Sequence, residues 1–139
     1  MEPGAAPGCR LDLSVLALAY LGDAVYELSA RKAILENGVC RPSELHRRTV
    51  EQVRARTQAR MGRLLEGALT DEEKEICRRG RNAKGRTPGA GGDVLAYRLS
   101  TGLESLLGYL YLTGRGDRAE QIQTLGRKLL AEEDEHEQS

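Results

Sequence analysis

Between Leu11 and Glu36 apolar side chains return at helical spacing, through Leu13, Leu16, Tyr20, Val25 and Leu28, and Asn37-Gly38 supplies a stop. The pattern predicts a first long helix. Pro42-Ser43 opens a short helix to about Arg48, and Thr49 with Gln52 three positions on has the form of a capping box starting another, to about Glu66. Thr70 with Glu73 repeats that form and predicts a helix from Asp71 to about Arg79, closed by Gly80 and followed by a loop, 81–92, dense in glycine and basic residues. Asp93 caps a helix reaching Leu112, Gly114-Arg115-Gly116 breaks it, and Asp117 starts a last helix that frays into an acidic tail. Alternating runs long enough for a sheet are missing, so the expected class is all-α. The stretch Leu103–Leu112 is apolar nearly all round its helix, which predicts burial on several sides. Tyr20, Leu103, Leu106, Leu107, Tyr109 and Leu110 are candidates for the core or for a subunit contact.

Length and composition narrow this picture. At 139 residues, with 40% hydrophobic and 30% charged side chains, the chain makes one domain with a core of its own. Phe and Trp are absent, so Leu, Ala, Val and Ile must fill that core, as packed helices allow. Residues 1–10, with Pro3, Gly4, Pro7 and Gly8, read as a disordered leader, 11–130 as the folded domain and 131–139 as a disordered acidic tail.

The formal net charge is zero, but residues 41–86 carry 13 basic against 7 acidic side chains, and 131–139 carry five acids and no Lys or Arg. The middle of the chain is therefore the expected polyanion face. Cys9, Cys40 and Cys77 match no zinc spacing and read as reduced thiols of a cytoplasmic protein. The most apolar run, Leu13–Leu28, is interrupted by Asp23 and Glu27 and is too short to span a membrane.

Asp23 and Glu104 stand out as acids inside apolar helical stretches. A buried carboxylate needs a cation, a hydrogen-bond network or an ion pair. Magnesium is one such cation, since one or two carboxylates, several waters and substrate phosphate satisfy it, and that combination suits phosphodiester cleavage. Glu27 follows Asp23 at i+4 on the same face. Gly22 and Gly108 leave room beside the two acids for another backbone or a substrate. The competing reading pairs Asp23 or Glu27 with Arg31 or Arg98 and has Glu104 cap or pair elsewhere, and spacing alone does not decide between the two readings.

The stretch Leu18-Ala19-Tyr20-Leu21-Gly22-Asp23-Ala24-Val25-Tyr26-Glu27 resembles the signature of the ribonuclease III catalytic domain, and Leu103-Glu104-Ser105-Leu106-Leu107-Gly108-Tyr109-Leu110-Tyr111-Leu112 resembles its second acidic segment. Arg79-Gly80-Arg81-Asn82-Ala83-Lys84-Gly85 is similar to the loop of the short Mini-ribonuclease III form, which lacks a double-stranded-RNA-binding domain. The resemblance spans about residues 12–130. Ala19 and Thr101 stand where the long enzymes carry further acids, a departure shared with the short form.

The resemblance implies that Asp23 and Glu104 are catalytic and ligate the metal, with Glu27 and Thr101 at supporting positions. It implies Mg2+, with Mn2+ as a substitute, and hydrolysis of double-stranded RNA to 5'-phosphate and 3'-hydroxyl ends. It further implies a homodimer, 23S ribosomal RNA precursor as substrate and a ribosomal protein helper. Arg79, Arg81, Asn82, Lys84 and Arg86 are the expected RNA contacts around the loop, with Arg47, Arg48, Arg54, Arg56, Arg60 and Arg63 as flanking candidates and a solvated basic face as the plainer alternative. His46 and His136 have no place in this chemistry. The rival function is a catalytically inactive ribonuclease III-like module that binds structured RNA or a ribosomal partner without cutting.

Overall fold

The structure, a computed structural model, describes residues 14–84 and 92–138; among them are six α-helices, a short 3-10 turn at Glu66–Ala68 and no strand. The all-α expectation holds, while the leader proposed at residues 1–10 lies outside the described residues. Helix α1 spans Val15–Glu36 and begins later than its apolar pattern predicts, because Ser14 caps it by accepting from Ala17 N–H at 3.1 Å. It ends at Asn37, and Gly38 takes the left-handed turn at φ 89° that favours glycine.

Helix α2, Pro42–Val53, opens with proline in its first turn and corrects the sequence reading. No helix starts at Thr49: its hydroxyl donates to the Leu45 carbonyl at 2.8 Å from inside the helix, as threonine does when it bonds back one turn. The break falls at Arg54, whose ψ of 142° turns the chain sharply into α3, Ala55–Leu65. Three carbonyls freed at this elbow are each taken by a side chain. The Thr57 hydroxyl donates to Glu51 O at 2.8 Å, the Tyr26 hydroxyl to Gln52 O at 2.7 Å and the Gln58 amide to Val53 O at 3.1 Å.

The second capping box is real. Glu73 N–H donates to the Thr70 hydroxyl at 3.2 Å and Thr70 N–H to the Glu73 carboxylate at 2.8 Å, opening α4, Asp71–Arg81. Gly80 does not stop that helix. It lies buried inside α4, where an added Cβ would stand 2.5 Å from the Ser105 hydroxyl and 3.0 Å from Gly102 Cα. Asp93 caps α5, Val94–Leu112, by accepting from Ala96 N–H at 3.0 Å. Helix α6 runs Gly116–Gln138, so the tail expected to be disordered from residue 131 is helical as far as it is described. Its acids have a partner: the Arg60 guanidinium donates to Glu133 at 2.6 Å and to Asp134 at 2.8 Å.

Helix α5 is the axis of the fold, buried without interruption from Ser100 to Leu110 and packed against α1, α3, α4 and α6. Leu103, Leu106, Leu107, Tyr109 and Leu110 belong to the chain's own core together with Tyr26, Met61, Leu65 and Ile122. Tyr20, grouped with them by sequence, is 84% exposed.

Glu73 also ties α4 to α6, because Arg118 grips both carboxylate oxygens at 2.8 Å and Ala68 O at 3.0 Å. The Arg118 guanidinium holds the Glu73 carboxyl below its ordinary range, against the opposing effect of burial. Since the folded value is the depressed one, this stabilisation is present above the unfolded carboxylate value of about 4.3 and is lost as pH falls through the folded one. Glu73→Gln is expected to cost about 2 kcal/mol at pH 7, less than a fully buried pair because Arg118 keeps 28% exposure. Urea melts at two pH values check it: the gap to the unaltered chain should close below pH ~4, and a gap of constant size would refute the linkage.

Candidate active site

Asp23 and Glu104 come from the two helices that approach each other most closely. An added Cβ on Gly22 would lie 1.7 Å from Glu104 O and 2.9 Å from Gly108 N, and one on Gly108 would lie 1.9 Å from Leu18 O. Helices α1 and α5 therefore touch backbone to backbone at a paired-glycine crossing. Asp23 follows one of these glycines directly, and Glu104 supplies the carbonyl that the same glycine meets. The room that the sequence suggests beside Gly22 and Gly108 is filled by the opposite helix.

The two acids differ in setting. Glu104 is buried at 5% exposure, as the apolar pattern of α5 predicts. Asp23, expected to be buried, is exposed, although Ala19, Tyr26 and Ala30 stand one and two turns from it on the same face of α1 and are buried. It makes no ion pair with a described residue. The competing reading holds for Glu27, which pairs with Arg31 at 2.9 Å. Thr101 is buried and donates to the Tyr97 carbonyl at 2.9 Å, a helix-internal bond that aims nothing at a substrate. Tyr26, one turn after Asp23, is 1% exposed. Burial raises its phenol far above the ordinary range, with Arg127 opposing the shift and Glu104 adding to it.

The donor set suits a hard cation. Two carboxylates from different helices, with no imidazole or thiol beside them, match the one or two acids plus water and phosphate that magnesium takes. Among the described residues no group of three or more His, Cys, Asp or Glu could hold a metal without such further ligands. His46 and His136 are both exposed, on α2 and α6.

The basic candidates divide cleanly. Arg47 and Arg48 pair with Glu44, Arg60 with Glu133 and Asp134, and Arg78 with Glu75, so these four are spent on neighbouring acids. Arg54, Arg56, Arg63, Arg79, Arg81 and Lys84 carry no ion pair with a described acid. Arg79, Arg81, Asn82 and Lys84 cluster at the end of α4, which packs on α5 through Gly80 and Gly102. Arg86 lies outside the described residues.

A cleft of about 430 Å³ between α3, α4 and α5 is lined by Leu65, Leu69, Leu99 and Leu103, with Arg63 and Arg81 among its charged neighbours. Neither acid lines it. Burial pushes the Cys77 thiol in its wall up to about 12, which makes it a poor nucleophile. Cys40 and Cys77 are free thiols, as read from the sequence. Sequence reasoning missed the elbow at Arg54 and the Tyr26 bond that braces it: neither Gly nor Pro marks the break, and the bonded partners are 26 positions apart.

A family model described as the ribonuclease III domain matches residues 16–115. The chain is 46% identical over 112 residues to the Mini-ribonuclease 3 of Symbiobacterium thermophilum, covering 81% of this chain and 86% of that one. It is 49% identical over 112 residues to the Mini-ribonuclease 3 of a Synechocystis species, covering 81% and 76%. A crystal structure of a protein from Fusobacterium nucleatum superposes with a TM-score of 0.73 at 31% identity, over 83% of this chain and 93% of that one.

Proposed function

The chain belongs to the ribonuclease III family, in its short Mini-ribonuclease 3 form, and from that premise we propose that Asp23 and Glu104 are the catalytic carboxylates of a magnesium-dependent endoribonuclease acting on double-stranded RNA. The observation that supports the reading is the glycine crossing, where the backbone of Glu104 on α5 meets Gly22, the neighbour of Asp23 on α1. Asp23 and Glu104 would hold Mg2+, or Mn2+ in its place. When bound, the cation supplies positive charge for the scissile phosphate and lowers the pKa of a coordinated water.

The protein's own residues do the rest. Glu104, set in the buried stretch of α5, fixes one carboxylate, and Asp23 presents the other to solvent where a duplex can reach it. The unpaired cations at the end of α4 hold phosphates of the same duplex, as A-form RNA is gripped through its backbone and 2'-hydroxyls. Glu27, bonded to Arg31, supports the shape of the α1 surface. The substrate is the precursor of 23S ribosomal RNA, trimmed in the cytoplasm to 5'-phosphate and 3'-hydroxyl ends, with a ribosomal protein presenting the site. No described helix is long and apolar enough to cross a membrane.

An end-labelled RNA duplex should be cut by the full chain with magnesium and left intact after chelation, and manganese should restore cutting. A chain that binds duplex but cuts neither it nor a ribosomal precursor, across metals and pH, would establish the inactive binding module instead.

We also propose that the enzyme works as a homodimer through α1, whose outer face leaves Tyr20 84%, Leu28 69% and Leu35 57% exposed at helical spacing. Such a stripe is self-complementary across a two-fold axis and gives each strand of the duplex its own site. Sedimentation equilibrium should return a dimer for the unaltered chain and a helical monomer for Tyr20→Glu; a monomeric unaltered chain would remove the dimer.

A further inference from the structure

We propose that the elbow between α2 and α3 is a second phosphate-binding corner, presenting Arg54 and Arg56 to an RNA duplex, and that the Tyr26 hydroxyl is the positioning group that sets it. The inference rests on the duplex-RNA reading above and adds residues outside the loop group at the end of α4. Three observations carry it. First, Arg54 and Arg56 are exposed and carry no ion pair with a described acid, whereas Arg47, Arg48 and Arg60 on the same two helices are all paired. Two unpaired cations at one bend, on helices whose Arg47, Arg48 and Arg60 are paired, are complementary to a polyanion.

Second, the bend is built rather than incidental. Arg54 sits at the break itself, and the carbonyls of the three residues before it are held by Thr57, Tyr26 and Gln58. An arginine on so fixed a corner gives up little freedom when it takes a phosphate. Third, the corner faces the active-site helices. Its recess, about 350 Å³, is completed by Gly92, Asp93, Ala96 and Tyr97 at the start of α5. Asp93 accepts from Ala96 N–H through one carboxylate oxygen and keeps its charge, so the two guanidinium groups outnumber the one acid that lines the recess. From Tyr97 to Glu104 is about 10 Å along α5 at 1.5 Å per residue. Tyr26 links the two ends: it lies one turn from Asp23 on α1 and its hydroxyl grips Gln52 O, two residues before Arg54.

The experiment is duplex-RNA affinity of the full chain as a function of salt, with metal chelated so that no strand is cut. Each phosphate contact contributes about one unit of slope, so Arg54→Gln with Arg56→Gln should flatten the slope by about two and weaken binding at low salt. Tyr26→Phe should weaken binding about three- to tenfold, the size of one lost hydrogen bond, with the kinetic defect in KM rather than kcat. In the arginine double variant, Tyr26→Phe should cost no further affinity, because a positioning group has nothing left to position.

An unchanged slope in the arginine variant would overturn the corner while leaving the endonuclease reading intact. A lower melting temperature for Tyr26→Phe with unaltered RNA affinity would reduce the hydroxyl to a structural brace, and a loss confined to kcat would assign it to Glu104. An unaltered chain that fails to bind duplex at all would overturn the duplex reading itself.

Discussion

Asp23→Asn and Glu104→Gln should each reduce cleavage of duplex RNA by about a thousandfold or more, the scale on which single charge-stabilising groups act in hydrolytic sites. Both substitutions keep the shape of the side chain and remove its charge. Asp23 is exposed, so its replacement should leave stability within about 0.5 kcal/mol of the unaltered chain. Glu104 is buried, and the amide keeps its shape, so folding of that variant is verified by circular dichroism and a urea melt before its activity is compared. Duplex binding, carried by the cations, should persist in both. Single-turnover cleavage with magnesium on matched, folded samples is the measurement. Activity within tenfold of the unaltered chain in either variant would remove that acid from the metal site.

Gly22→Ala should be the most damaging single methyl group in the molecule. Its Cβ would stand 1.7 Å from a backbone carbonyl oxygen and 2.9 Å from a backbone nitrogen, and neither can rotate away. Helices α1 and α5 would have to separate along the length of the core. We expect a loss of at least about 3 kcal/mol, the upper end of overpacking costs, from a total of about 5–15 kcal/mol for a domain. Cleavage should fall further than the folded fraction does, because the same separation moves Asp23 away from Glu104. Gly62→Ala is the control: it lies in α3 with nothing within 4 Å of the added Cβ, and helix propensity alone predicts a gain of up to about 1 kcal/mol. Chemical denaturation of the two variants decides. Equal stability would mean that the crossing is looser than its contacts require.

What could be read from the sequence follows the range of the interactions involved. The capping boxes and stop signals are local, and Asp93, Thr70 with Glu73, and Asn37-Gly38 act where the pattern puts them. Thr49 with Gln52 shows the limit of a local signal: the same residue spacing occurs inside a continuous helix, where the threonine simply bonds back to Leu45. The break that does occur, at Arg54, is secured by Tyr26 from a distant helix, and no local pattern contains that information. Asp23 and Glu104 were visible as acids in apolar surroundings and through their resemblance to a known signature, but helical apolarity overstated the burial of Asp23. Ala19, Tyr26 and Ala30 stand on the same face one and two turns away and are buried, so periodicity alone does not reveal the exposure of Asp23. Gly80 misled for the converse reason: a glycine can end a helix or let two helices close, and only the presence of Gly102 and Ser105 opposite it distinguishes the two. The helical acidic tail was hidden likewise, since Arg60 lies more than 70 positions from the acids it holds.

The braced elbow bears on how the molecule moves. A break in a helix usually leaves carbonyls to water and becomes a place where amides exchange and the chain flexes. Here every carbonyl from Glu51 to Val53 has a side-chain donor, one of them from the helix that carries Asp23. Pro42–Leu65 is therefore a bent rod with a locked corner, tied to the active-site helix at its bend. A duplex settling on this surface meets a template whose curvature is already set, so the adaptation between the two partners falls to the RNA.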